Sequence, residues 1–318
     1  MKQFDILKYR NYGFLFSTVL IVGMLIVFLI QGVKLDISFQ GGTRITLETT
    51  AAVNAEDAAK LARSLTGREI NGSILKTYSV DTTSSQVELL RLDVAGTEPL
   101  SDAEVAKVRE GVAAQFPVKL NSSKNETASI TPTIGKETLQ RGILAIVLSS
   151  ILILLYVTVR FTIMSGFSAG FTAVLALVHD ALVIFGIYVV FRLPLNDGFI
   201  AAVLTIIGFS VNDTIIMYDR IRENSTLLRK QPLYDIVNTS VKQTLSRSIN
   251  TTITVLMCLV ILGIFAGINN IGSLKDFSIS LTAGIISGTY SSLFIAVPLW
   301  YNIREKASHK HKKAVVTQ

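Results

Sequence analysis

Gly208-Phe-Ser-Val-Asn-Asp213-Thr-Ile-Ile-Met-Tyr-Asp219-Arg-Ile-Arg-Glu223 continues the apolar run 199–209 and sets a carboxylate inside a hydrophobic segment. With about 1.5 Å of rise per helical residue, Asp213 lies ~9 Å inside the charged boundary at Asp219. An acid at that depth costs several kcal/mol and faces a polar bundle interior or an ion path rather than lipid. The stretch therefore reads as one span of a multi-helix membrane bundle, with Asp213 as the residue to explain.

The rest of the chain agrees. Half of the 318 residues are hydrophobic and 17% are charged, which excludes an ordinary soluble domain. Apolar runs long enough to cross a bilayer occur at about 13–33, 141–159, 167–191, 198–218, 249–269 and 277–300. Basic residues precede the first run, as in a signal peptide. Its length and the lack of an Ala-x-Ala-like site before Lys34 predict an uncleaved anchor instead.

Lys and Arg set the expected orientation. With a cytoplasmic N-terminus, 15 basic residues fall inside: three in the tail 1–12, Arg160, six from Arg220 to Arg247 and five after Trp300. The short outside loops hold one each, Arg192 and Lys275, which satisfies the positive-inside rule. Both termini are thus expected in the cytoplasm. The loop 219–248 and the tail 301–318 are expected to be basic and cytoplasmic, the tail as a disordered end drawn to anionic headgroups. Trp300 and Tyr301 read as an interfacial anchor. The net charge of +7 is a topology signal and not a nucleic-acid footprint.

Residues 34–140 form the one large loop, expected on the outer side of the membrane. Thr43–Thr49 alternates as a strand, and Asn54–Leu65 reads as a helix stopped by Gly67. Strands at 73–80 and 86–94 flank the turn-rich Asp81-Thr-Thr-Ser-Ser85. Ser101-Asp-Ala-Glu104 is a capping box opening a helix to Phe116, and a last strand lies near 128–133. The order βαββαβ is that of a ferredoxin-like α+β domain. The fold class is therefore a polytopic α-helical membrane protein of six transmembrane helices, with this domain between the first and second.

Chemistry in that domain is largely excluded. The three histidines are His179, His309 and His311, and the single cysteine is Cys258, all outside it. That removes Ser/His/Asp, Cys/His and most zinc arrangements, as well as a disulfide. No G-x-x-x-x-G-K-[ST] phosphate cradle occurs in the chain. Neither an enzyme nor an ATPase is expected, no cofactor or metal site is expected at His309 and His311, and any work must draw on an ion gradient or a partner.

Polar positions accumulate inside the spans: His179 and Asp180; Ser210, Asn212, Asp213 and Thr214; Arg247, Ser248, Asn250, Thr251, Thr252 and Thr254; Gly284, Gly288, Thr289, Ser291 and Ser292. Small and hydroxylated residues let helices approach and bond. For Asp213 two readings stand: a buried ion pair fixing helix register, or reversible protonation. Burial raises a carboxyl's proton affinity and a nearby guanidinium lowers it, so Asp213 with Arg247 would make a two-state proton switch. Arg247 at a helix end also suits simple snorkelling. Asp180 reads as a second carrier or a hydrogen-bond partner, and His179 as an interhelical donor. Gly41-Gly42 reads as a turn into the first strand or as a joint between membrane and domain.

Several of these stretches carry a resemblance. One large loop after the first of six spans, Gly41-Gly-Thr43 opening it, Val178-His-Asp180, Ser210-Val-Asn-Asp-Thr214 running into Tyr218-Asp-Arg-Ile-Arg-Glu-Asn224, and Thr244-Leu-Ser-Arg247 resemble the SecD/SecF family of bacterial protein export, a relative of resistance-nodulation-division transporters. The resemblance covers about 1–300. It implies the smaller subunit of a pair with SecD, acting beside the SecYEG channel, with YajC and YidC as further associates. The pair would use the proton motive force, with H+ as coupling ion, to help move an unfolded polypeptide in late export. The proton pathway it implies is Asp213, Arg247, Asp180 and Asn212, and the junction Gly41 and Gly42, with Asp36 displaced from its usual spacing. A structural scaffold for SecD without ion conduction, or half of a small-molecule exporter, are the alternative functions.

Overall fold

The computed structural model describes residues 5–78, 86–96, 98–269 and 271–316. The expected turn Asp81–Ser85 lies outside them. The chain opens with α1 (Arg10–Gln31), whose length and hydropathy suit a membrane span. A single turn, α2 (Ile37–Gln40), is capped by the Asp36 carboxylate, which accepts from Ser38 N at 2.9 Å.

Next comes the sheet domain: β1 (Gly42–Thr49), α3 (Ala55–Thr66), β2 (Ile70–Tyr78), β3 (Gln86–Ala95), α4 (Asp102–Gln115), β4 (Val118–Lys119) and β5 (Glu126–Ile130). Local chemistry explains the helix ends. Asn54 caps α3, Gly67 ends it in the left-handed conformation, and the Ser101–Glu104 capping box opens α4. β3 pairs antiparallel with both β1 and β2, so β1 and β2 run parallel on either side of it, the split βαβ arrangement. Ile45, Leu47, Leu90, Leu92 and Val94 meet Ala58, Ala59, Ala62, Val105, Val108 and Val112 in the core.

One expected element differs. The last strand is broken in two, both pieces on the free edge of β1: Glu48 pairs with Lys119, whereas Thr46 pairs with Glu126. Asn125 makes the break possible, because its Oδ1 accepts from Glu48 N at 2.8 Å while its Nδ2 donates to the carbonyls of Lys119 and Leu120.

The chain then returns through α5 (Pro132–Arg160), α6 (Gly166–Val190), α7 (Asp197–Leu227), α8 (Leu233–Ile268) and α9 (Gly272–Ser291), which passes through a π-helical turn, Ser292–Ala296, into α10 (Val297–Val316). Among the described residues, six helices are long and apolar enough to span a bilayer. Helix satisfies every backbone polar group within the segment, which lipid requires. α6 and the α9–α10 helix are the most buried, whereas α1 and α5 line the periphery.

Three expectations about the ends of these helices are corrected. Residues 219–248, expected as a loop, are helical apart from 228–232. α8, with 36 residues, runs about 54 Å against a hydrocarbon thickness of about 30 Å, so it projects well beyond the bilayer. Side chains hold the projecting ends together: Asn224 Nδ2 donates to Ser240 Oγ at 2.8 Å and to Gln243 Oε1 at 2.7 Å. The basic tail is likewise helical, in α10. Trp300 and Tyr301 are not an exposed anchor there. They are buried against Phe161 and Tyr218, with Trp300 Nε1 donating to the Met164 carbonyl at 3.3 Å.

Candidate functional site

Close helix contact creates the polar centre. A Cβ on Gly284 would stand 2.5 Å from Ile206 Cγ1, and one on Gly288 3.0 Å from Ser210 Cβ. These two glycines bring α9 against α7 and let short serine hydroxyls reach across.

They converge on Asp180, which is fully buried on α6. Its Oδ2 accepts from Ser210 Oγ and Ser291 Oγ, each at 2.7 Å, and its Oδ1 from Ser287 Oγ at 2.7 Å. Asp180 thus ties three helices. His179 Nδ1 lies 3.2 Å from Asp180 Oδ1, and His179 Nε2 has no hydrogen-bond partner among the described residues. His179 is therefore not the interhelical donor expected from sequence. Its ring borders a groove of about 320 Å³ beside α1, shared with Ser17 and Thr18.

Asp213 has a different environment. It is buried, with 6% of its surface exposed, yet it receives one hydrogen bond, from Ser248 Oγ to Oδ1 at 2.5 Å. Oδ2 has no partner among the described residues. The expected Asp213–Arg247 ion pair is not formed. Consecutive residues on a helix point about 100° apart. Ser248 occupies the position facing Asp213, and Arg247 is exposed on the outside of α8. Asn212, also expected in the pathway, points outward from α7.

Arg247 and Asn212 share their outward faces with other small and polar residues. Ala201, Thr205, Gly208 and Asn212 are exposed along α7 at helical spacing, as are Arg247, Asn250, Thr251, Thr254 and Cys258 along α8. Next to Asp213, Thr214 Oγ1 and Ser292 Oγ are 2.8 Å apart, and Ser292 Oγ also donates to the Ser210 carbonyl. Ser291 and Ser292, consecutive at the start of the π turn, thereby serve the surroundings of both acids.

Gly41 and Gly42 stand where the domain meets the bundle. Both have positive φ, +82° and +141°, and a Cβ would fall 2.8 Å from Pro132 N and 2.1 Å from Val94 O respectively. Only glycine fits either place. Phe39, two residues before Gly41, is buried in the bundle core with Leu177, Ile184 and Ile206. Asp36 is tied in as well: Arg44 Nη2 lies 3.4 Å from its Oδ1, and Arg44 and Arg91 both hold Asp93.

Sequence reading passes over Ser287 and the Ser17–Tyr290 hydroxyl pair at 3.0 Å. Ser287 was findable, because Ser280, Gly284, Ser287, Gly288 and Ser291 recur at helical spacing as one small-residue face. No group of three or more His, Cys, Asp or Glu stands together among the described residues.

A six-span helical bundle carrying a ferredoxin-like domain between its first two spans, with acids at its centre, defines a class of membrane transport protein rather than an enzyme. The family profile described as protein export membrane protein SecD/SecF, C-terminal, matches residues 112–306. The chain belongs to the SecD/SecF family. It is 35% identical over 301 residues to protein translocase subunit SecF of Sebaldella termitidis, covering 94% of this chain and 91% of that one. It is 34% identical to protein translocase subunit SecDF of Bacillus subtilis over 94% of this chain, but spans only 38% of that longer relative. The crystal structure of SecDF from Thermus thermophilus, a translocon-associated membrane protein, superposes with a TM-score of 0.76 at 30% identity, over 95% of this chain and 39% of that one.

Proposed function

We propose that this chain is the SecF half of a SecD/SecF pair that couples proton entry at Asp213 to late steps of polypeptide export through SecYEG. The observation that carries the proposal is the contrast between the two buried acids. Asp180, held by three hydroxyls, has the bonding of a structural tie that sets helix register. Asp213, with one bonded oxygen and one free, has room to gain and lose a proton without dismantling the bundle.

The outward small and polar faces of α7 and α8 support association with SecD. Polar side chains exposed at membrane depth are costly against lipid and favourable against a second bundle. Bacillus subtilis SecDF matches this chain over part of its greater length, which supports the same pairing. In this reading Arg247 and Asn212 meet the second half beside Asp213, and the Arg247 charge, unpaired with Asp213 but within electrostatic reach of it, favours the carboxylate. Protonation of Asp213 weakens that attraction and lets the halves repack. Each charge crossing contributes about 2.3 kcal/mol per 100 mV, enough to bias a two-state equilibrium of a few kcal/mol. Cytoplasmic termini in the bacterial inner membrane, with residues 34–140 in the periplasm, complete the proposal.

The test is Asp213→Asn in vesicles containing SecD, this chain and SecYEG. Proton flux and gradient-stimulated export should both vanish while SecD still co-purifies. Gradient-stimulated export at the parent rate would overturn the carrier role and leave a scaffold.

A further inference from the structure

A cleft of about 1070 Å³ separates the sheet domain from the domain-side ends of α1 and α6. Its lining is divided. Val33, Leu35, Tyr188 and Val189 are apolar, whereas Lys34, Arg63, Arg68 and Arg192 carry positive charge against Glu69 and Glu98. Arg63 and Arg68 are committed to the domain: Arg63 donates to the Ile70 carbonyl and to Glu56, and Arg68 to the Glu98 carbonyl. Lys34 and Arg192 are exposed, and neither forms an ion pair among the described residues; Arg192 Nη2 reaches only the Gln31 carbonyl, at 3.5 Å.

Both free cations stand on held backbone. Leu195 N donates to the Lys34 carbonyl at 2.8 Å, and Leu193 N to the Tyr188 carbonyl at 2.9 Å. Arg192 itself has φ of +54°, one of two non-glycine residues with positive φ among the described ones. It directly follows α6 and its cap Phe191, a position where glycine is the low-cost choice. A long cationic side chain is kept at a place where the backbone favours none. Strain maintained in this way marks functional positions.

We infer that this cleft binds the headgroup phosphate of an anionic membrane phospholipid, with Lys34 and Arg192 as its counter-charges. The inference rests on the chain spanning a membrane and not on proton coupling. At the ends of two spans the cleft lies at headgroup depth. Exposed Val33 and half-buried Leu35 suit the first acyl carbons, Tyr188 and Val189 form a buried floor beneath them, and the net positive charge complements phosphate. An acidic polypeptide segment is the competing occupant. The apolar residues at the span ends favour the lipid.

The experiment is native mass spectrometry of the full-length chain in detergent with phosphatidylglycerol or phosphatidylcholine, alongside Arg192→Gly, Lys34→Gln and the exposed control Lys136→Gln. Phosphatidylglycerol should be retained in preference, and retention should fall about five-fold for each cleft cation removed, while the control matches the parent. Arg192→Gly relieves the positive φ, so it should unfold at or above the parent temperature while losing lipid, a combination that a structural role does not give. Undiminished retention in both cleft variants, or equal retention of the two lipids, would overturn the inference. Displacement of the lipid by glycerol 3-phosphate or by a glutamate-rich peptide at equal concentration would also overturn it, by assigning the cleft to a soluble phosphate or to polypeptide.

Discussion

Replacing Asp180 by alanine tests whether the serine-bound acid is the structural centre of the bundle. The side chain is fully buried and accepts hydroxyls from Ser210, Ser287 and Ser291, each at 2.7 Å. Hydrogen bonds between membrane helices average about 0.6 kcal/mol and reach about 1.7, so losing three removes about 2 to 5 kcal/mol. Ser291 Oγ keeps a second acceptor, the Gly288 carbonyl at 3.1 Å, which places the loss toward the lower half of that range. Asp180→Asn preserves shape and leaves groups that reoriented hydroxyls can still bond, so it should cost about 1 kcal/mol. Thermal unfolding of the purified chain in one detergent, followed by tryptophan fluorescence from buried Trp300, reads the difference. Asp180→Ala should unfold several degrees below Asp180→Asn, and Asp213→Asn, whose amide oxygen still accepts from Ser248, should stay near the parent. Equal unfolding temperatures for Asp180→Ala and the parent would refute the assignment of Asp180 as the tie between α6, α7 and α9.

Three further outcomes are expected. Gly42→Ala puts a methyl group 2.1 Å from Val94 O at a φ of +141°, and should cost about 3 kcal/mol or more, read as lost amide-exchange protection in β1 and β3 of the intact protein. Burial pushes the Asp93 carboxyl up to about 6, against the opposing pull of Arg44. A raised carboxyl favours the native state below the unfolded value near 3.8, and that contribution is lost as pH rises toward 6, by up to about 3 kcal/mol. Sheet protection should therefore fall between pH 4 and 6 in the parent and stay level there in Asp93→Asn, where an unchanged slope would discount the group. Arg247→Gln should leave thermal unfolding of the isolated chain unchanged, because the side chain faces out of the bundle, yet reduce co-purification with SecD; a destabilised isolated chain would contradict that exposure.

The elements were legible where local chemistry is one-dimensional. Runs such as 249–269 announce spans because lipid leaves helix as the backbone's solution, and Ser101–Glu104 announces its helix through a cap made within four residues. The broken final strand was not legible. It depends on Asn125 reaching Glu48, 77 positions away. In sequence the projecting ends of α7 and α8 resemble a loop because their stability comes from each other, through Asn224, Ser240 and Gln243, rather than from any apolar run.

The candidate site divides along the same line. Residue types and depth alone marked Asp213 and Asp180 as costly acids, since the penalty for charge in hydrocarbon does not depend on neighbours. Which acid is fixed and which is free was decided only by the fold. Helical rotation sets Ser248 rather than Arg247 toward Asp213, and the close approach allowed by Gly284 and Gly288 gathers three serines around Asp180. Such bonds form between residues distant in the chain, and their geometry exists only once the helices are packed.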